Sequence, residues 1–257
     1  MTSSISDLAC DASVASGNRP YRVRLATSDR DLQAAQSLRF AVFNLELREG
    51  LSESYATGRD ADPFDAVCGH LIVEDLRDGA VVGTYRMQSG AQAAAGLGYY
   101  CEREFDLRGF EPQRRHILEL GRACVHRQHR NFSVLNLLWK GIAAHAQQCG
   151  ARYLIGCSSL TSQEPAQGMS AYRQLSSRLA PAPWSAMPQA DFQCQSDAEV
   201  MRPATIPRLM SAYLALGAAV CGPPALDRAF GTIDFLTWLD LDSPNMKALQ
   251  RRGRFIA

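Results

Sequence analysis

Apolar and polar positions along this chain alternate in some stretches and recur at helical spacing in others. Tyr21-Arg22-Val23-Arg24-Leu25 has the two-residue period of a strand with one buried face. Ser28 or Asp29 then offers an N-cap, with Asp29 and Asp31 in the first turn. The helix behind it carries Leu32, Ala35, Leu38, Phe40, Val42, Phe43 and Leu47 as far as Glu49, and Gly50 suits its end. Residues 50–69 read as loop, with Asp60, Asp62 and Asp65 clustered around Pro63-Phe64. Two β-rich runs, 70–75 and 80–87, flank Arg77-Asp78-Gly79 and form a hairpin. Residues 89–98 read as a flexible spacer, and a short helical segment is expected near 102–107. A strand follows at 116–126. Val134, Leu137, Leu138, Ile142 and Ala146 then mark a helix ended by Gly150. A buried strand at 153–158, a helix at 166–179, an irregular stretch at 180–203, a helix at 205–216 and a strand at 232–241 complete the chain. This order predicts an α+β sandwich with a mixed sheet, without the strict strand–helix alternation of a doubly wound fold. The expected division is a disordered leader at 1–20, one domain at 21–245 and a basic tail at 246–257.

Composition narrows the setting. The chain has 257 residues and a formal charge of +1, so no global field points to nucleic acid. Of 27 basic residues only Lys140 and Lys247 are lysines, leaving 25 arginines. Composition bias explains such an excess, and so does a need for planar, forked grips on anions. The eight cysteines are scattered, with no C-x-x-C pair, and residues 1–19 lack the apolar core of a signal peptide. Reduced thiols in the cytoplasm are the expectation. No apolar run approaches the ~18 residues of a membrane span. Arg251-Arg252-Gly253-Arg254 suits peripheral contact with the anionic lipid of the inner membrane.

The chemistry is expected around Ile117-Leu118-Glu119-Leu120-Gly121-Arg122-Ala123-Cys124-Val125-His126. A mostly apolar strand carries one carboxylate and one guanidinium, then runs through Arg127-Gln128-His129-Arg130 into a helix whose N-cap is Asn131 or Ser133. Helix-start N–H groups and arginines both favour anions, so this loop suits a phosphate-bearing group.

The element order, with a basic loop between the fourth strand and the following helix, resembles the GNAT acyltransferase fold, a three-layer α/β/α sandwich with a mostly antiparallel sheet. Val125 and Arg130 match that family's loop pattern, whereas Ser133 and Leu135 stand where small, flexible residues usually wrap the pyrophosphate of coenzyme A. That departure favours an acyl carrier protein, whose phosphopantetheine arm has a single phosphate. Arg39-Phe40-Ala41-Val42-Phe43, Asp62-Pro63-Phe64-Asp65, Gly83-Thr84-Tyr85-Arg86, Glu104-Phe105-Asp106-Leu107 and Glu119-Leu120-Gly121-Arg122 resemble the N-acyltransferases that form lyso-ornithine lipid. Arg39, Phe43, Asp62, Asp65, Arg86, Glu119 and Arg122 are also similar to positions of the acyl-homoserine-lactone synthases. Thr232-Ile233-Asp234-Phe235 resembles the ornithine-lipid branch and related hemolysin-like proteins, not the lactone synthases.

The resemblance implies an amine attacking a thioester, with no permanently bound cofactor and no metal. Glu119 is the expected base, its pKa raised on an apolar strand; the alternative is that Glu119 and Arg122 merely pair to hold the site. Arg39, Asp62, Asp65 and Arg86 form a charge network that either meets the amino-acid acceptor or positions the first helix. Phe43 lines an acyl tunnel or is plain core. Val125, Arg130 and Ser133 are assigned to the phosphopantetheine. Arg114, Arg115, Arg127 and Arg130 form a basic rim for an acidic carrier protein. A metal at Cys124, His126 and His129, and an acyl-enzyme on Cys124 or Cys157, are the weaker readings. An N-acyl signal synthase, a short-chain acetyltransferase and a non-catalytic carrier-binding regulator are the alternatives to ornithine acylation.

Overall fold

Local chemistry explains most element boundaries. The computed structural model describes residues 21–196, 198 and 203–251, without the side chains of 249–251; the expected leader and residues 252–257 of the tail lie outside them. After β1 (Tyr21–Leu25), the Ser28 hydroxyl caps α1 (Asp29–Phe40), accepting from the Asp31 N–H at 3.2 Å. The helix then widens into a π-helical stretch, Ala41–Leu47, and stops at Arg48 in the left-handed conformation, ahead of Gly50. A short α2 (Ser54–Thr57) follows. Asp62 then caps a 3-10 turn, Pro63–Ala66, with proline at its first position.

β2 (Gly69–Asp75) and β3 (Ala80–Ser89) form the expected hairpin. The expected spacer is instead partly helical. Ser89 and Gln92 make a reciprocal capping box that starts α3 (Gly90–Ala95). Two 3-10 segments, Tyr100–Arg103 and Arg108–His116, lead into β4 (Ile117–Val125). Asn131, not Ser133, caps α4 (Phe132–Gln148), accepting from the Val134 N–H at 3.1 Å. Then come β5 (Tyr153–Leu160), α5 (Pro165–Gln174), α6 (Arg208–Leu216), β6 (Ala219–Val220), β7 (Ala225–Asp227), β8 (Thr232–Asp240) and α7 (Pro244–Arg251). None of the helices among the described residues is long and apolar enough to cross a membrane.

The eight strands make one mixed sheet in the order β1-β2-β3-β4-β5-β8-β6, with β7 also on β8. All pairings are antiparallel except β4 with β5. One face packs on α4, where Val134, Leu138 and Ile142 meet Leu71, Val73, Met87 and Leu118. Each such fully buried side chain stabilises the fold by about 1.5–3 kcal/mol. The other face is covered by α1 and the 3-10 segments, around Phe105, Phe110, Ile117, Ile155 and Leu236. The result is a three-layer α/β/α sandwich.

What positions the site is a parting of β4 from β5. They pair only at Ile117↔Tyr153, Leu118↔Leu154 and Glu119↔Ile155. Beyond that β4 bulges: Thr84 faces Cys124 but Arg86 faces Gly121, and Arg122 takes φ 50°, which non-glycine residues rarely adopt. At the last close approach a Cβ on Gly156 would sit 2.2 Å from the Leu120 carbonyl oxygen, so only glycine fits. The strands then separate.

Candidate active site

The gap between β4 and β5 opens into a cavity of about 330 Å³. Leu120, Gly121, Arg122 and Ala123 border it on one strand, and Gly156, Cys157, Ser158 and Ser159 on the other. Tyr85, Trp139, Leu154, Tyr213 and Leu239 supply an apolar wall on the α4 side. Glu119, Gln88, Arg86, Phe43 and Tyr100 also face the cavity.

Glu119 is buried but not paired with Arg122. Its two oxygens accept the backbone N–H groups of Tyr100 and Cys101, each at 2.8 Å. Burial pushes its pKa above the ordinary carboxylate range, against the pull of those bonds. The carboxylate keeps further lone pairs for a proton, so a raised pKa on a fixed group suits a general base.

Arg122 belongs to a different assembly. Arg39 meets Asp60 at 2.8 Å and Asp65 at 2.5 Å; Arg86 meets Asp65 at 3.0 Å and Asp62 at 2.6 Å; Arg122 meets Asp62 at 3.0 Å and Asp60 at 3.2 Å. Three arginines and three aspartates thus alternate in a closed, buried, formally neutral ring. Asp60 joins through a single oxygen, at ion-pair distance but without hydrogen-bond alignment. Burial alone would raise the Asp62 and Asp65 pKa values, yet the arginines hold both below the ordinary range. The Arg122 guanidinium lies between the Tyr100 and Phe230 rings, 4.7 and 4.6 Å from their centroids.

Of the residues expected at the site, Glu119, Arg122, Phe43 and Arg86 reach the cavity. Arg39, Asp62 and Asp65 turn into the ring, where their charges are already matched. The expected charge network is thus present as buried ion pairs, the second of its two readings, in which it positions the first helix. Val125, Arg130 and Ser133 stand outside the cavity wall. Arg130 is held by Glu46 at 2.6 and 2.8 Å and donates to the Val125 carbonyl at 3.1 Å. In the expected basic rim, Arg114 is likewise engaged, by Glu102 and Glu111.

Cys124, His126 and His129 do not converge; His129 instead meets the Tyr21 hydroxyl at 3.1 Å. Among the described residues the one group of converging ligand atoms is Glu104, Cys157 and Asp234, within 4.8 Å of one another. The Cys157 thiol lines the cavity, but burial and then Glu104 and Asp234 push its pKa well up, so it is no thiolate nucleophile; burial likewise lifts Cys124 to about 12.

Gln88, Asp234 and Tyr100 escape a reading of the sequence. Gln88 lies opposite Glu119 across the β3–β4 ladder, 1% exposed, with neither amide atom hydrogen-bonded. Strand alternation was the available signal, since it puts Gln88 on the face of Arg86.

A family profile described as an acetyltransferase (GNAT) domain matches residues 38–140. The chain is 33% identical over 250 residues to the L-ornithine N(alpha)-acyltransferase of Brucella abortus (strain 2308), covering 90% of this chain and 88% of that one. It is 33% identical over 237 residues to the L-ornithine N(alpha)-acyltransferase of Agrobacterium fabrum (strain C58), covering 86% and 80%. The solved structure of the AHL synthase LasI covers 93% of this chain and 98% of its own, with a TM-score of 0.54 at 15% identity, a likeness of fold.

Proposed function

This chain belongs to the L-ornithine N(alpha)-acyltransferase family and is an acyltransferase, and from that premise we propose that it moves a long (3-hydroxy)acyl chain from acyl carrier protein to the α-amino group of ornithine, giving a lyso-ornithine lipid. The observation that carries this reading is the parted β4–β5 edge with buried Glu119 beside it.

A phosphopantetheine arm is an extended chain of amides. Beyond Glu119 and Ile155 the facing edges of β4 and β5 have lost each other as hydrogen-bond partners, and the arm's amides take that place. The acyl chain runs along the apolar wall of Tyr85, Trp139, Tyr213 and Leu239, with Phe43 at the other end of the cavity. Arg86 and Arg122 border the acceptor's end of the cavity while staying paired in the ring.

Glu119 takes a proton from the α-ammonium, directly or through one water, and the freed amine attacks the thioester carbon. Backbone N–H groups on the bulged edge of β4, between Leu120 and Ala123, donate to the oxyanion. The carbonyl re-forms as the carbon–sulfur bond breaks, and the second proton of the attacking nitrogen passes to the departing thiolate, leaving an amide and a thiol. Arg39, Asp62 and Asp65 act as positioning residues that hold Arg122 and the 50–68 loop. The site is expected in the cytoplasm, where the carrier protein is found.

The test is incubation with 3-hydroxyacyl carrier protein and amino acids, read by mass spectrometry. An N-acylornithine is expected, and Glu119→Gln should lower kcat roughly 10²–10⁴-fold. Absence of any acylated amino acid would sink the proposal.

A further inference from the structure

Several carboxylates crowd the cavity wall opposite α4 with no salt bridge among the described residues. Glu49, Glu119, Asp227 and Asp234 line it, and Glu104 stands against Asp234 and Cys157. The nearby guanidiniums of Arg39, Arg86 and Arg122 are directed at Asp60, Asp62 and Asp65. Two of the other acids have local work: Asp227 accepts the N–H groups of Ala229 and Phe230, both at 2.9 Å, and Glu49 accepts the Thr161 hydroxyl at 2.8 Å.

Asp234 and Glu104 differ. Asp234 is 4% exposed and takes the Thr232 hydroxyl at 3.2 Å on one oxygen, while its Oδ1 has no hydrogen-bond partner. Glu104 is 1% exposed, and its oxygen lies 3.8 Å from the Cys157 sulfur. Burial pushes both carboxyls above their ordinary range; the charges of Asp234 and Asp227 lift Glu104 further, against the pull of Arg122, and the charge of Asp227 lifts Asp234 against hydrogen bonding to Ser159, Glu104 and Thr232. Two acids packed together out of water, one with an orphaned oxygen at a cavity wall, are a binding site lacking its cation.

We propose that Glu104 and Asp234 form the subsite for the side-chain ammonium of the acceptor, and so restrict the enzyme to amino acids with a second amine. This rests on the ornithine reading above. In register Glu119 stands level with Ile155 and Asp234 with Ser159, so Cys157 lies midway between the two along β5. An acceptor whose α-amine meets Glu119 therefore extends its side chain along β5, past Cys157, toward Asp234. The neutral ring cannot do this work, because its aspartates are saturated.

The test is a competition between equal amounts of L-ornithine, L-norvaline and Nδ-acetylornithine for one acyl donor, with products counted by mass spectrometry. Norvaline keeps the carbon chain and lacks the amine; the acetylated analogue keeps the nitrogen and lacks the charge. Wild type should favour ornithine over both by about 100-fold or more, the effect of leaving a buried polar pair unmatched. Asp234→Asn and, separately, Glu104→Gln should cut that ratio below about 10-fold. Equal use of the three acceptors by wild type overturns the subsite and leaves acylation standing; no product with any of them sinks the ornithine reading itself. An unchanged ratio in both variants also overturns it. So does a folded variant that makes no product with any acceptor, since the pair would then be catalytic. A preference abolished by a chelator and restored by a divalent metal assigns the pair to a metal and overturns it as well.

Discussion

Two clusters of buried charge sit on the same face of one sheet and have opposite electrostatic characters. Arg39, Asp60, Arg122, Asp62, Arg86 and Asp65 close a ring in which every charge has neighbours of opposite sign. Glu104 and Asp234 converge with no salt bridge to either among the described residues. Both are hidden from water, so solvation explains neither. The ring contains its own counter-charges and is complete without a ligand. The pair is complete only when a cation arrives. Burial thus does not mark a charged group as structural or functional; the stoichiometry of charge within the cluster does.

The largest effect expected is on the ring. Asp65→Ala leaves Arg39 and Arg86 each short of a partner inside the protein and should cost about 3–5 kcal/mol, read by denaturant unfolding. Asp234→Asn removes a charge that is already unmatched, so stability should hold or rise slightly. Equal losses from the two substitutions would erase the distinction between a closed ring and an open pair.

The members of the ring were largely legible from residue type: Arg39, Asp62, Asp65 and Arg86 read as a network. Its closure was not. Residues 119 and 122 are an odd number apart, and in a regular strand their side chains would leave on opposite faces. The bulge, with Arg122 at φ 50°, brings both to the α1 face, and nothing in Leu120-Gly121-Arg122 announces it beyond one glycine. Glu119 was legible as a buried acid of raised pKa. Its true partners are the N–H groups of Tyr100 and Cys101, and backbone donors leave no side-chain signature. The fold itself was carried by strand periodicity and caps. The glycines and alanines of 89–98 read as a spacer and mask the capping box that Ser89 and Gln92 form. Asp234 breaks the apolar run of β8 on the face of Leu236 and Trp238, but its partner Glu104 lies in a separate segment, and only the tertiary fold joins them.

The acid–base behaviour should separate the clusters next. Asp62 and Asp65 have depressed pKa values in the folded state, so their contribution is present above about pH 4 and is lost as pH falls through the lowered values. Glu104 and Asp234 have raised values. The folded state holds their protons longer than the unfolded chain does, so stability declines as pH rises from about 4 through those values. Thermal melts across pH should therefore show a loss on each side, with Asp234→Asn flattening only the higher-pH limb. A higher-pH limb unchanged by Asp234→Asn would mean that the pair carries no such strain. Glu119 adds a kinetic counterpart: kcat/KM should rise with pH through a value above the ordinary carboxylate range, because only the deprotonated form accepts the amine's proton.

The smallest effect belongs to a third charge pair, one that water reaches. Arg130 grips Glu46 with both terminal nitrogens, yet its side chain is 44% exposed. Arg130→Ala and Glu46→Ala should each cost no more than about 1 kcal/mol, and less as salt is raised. Their kinetic effects should nevertheless diverge if Arg130 leaves Glu46 to meet the donor's phosphate. Removing Arg130 deletes that contact and should raise KM for the acylated carrier protein severalfold. Removing Glu46 frees the guanidinium and should lower it, with kcat unchanged in both. The ring shows why such an exchange is open to Arg130 and closed to Arg39: an exposed pair gives up little on parting, whereas a buried arginine has no solvent to fall back on. A donor KM that ignores both substitutions would remove the loop from donor binding and leave Arg130 as a surface ion pair.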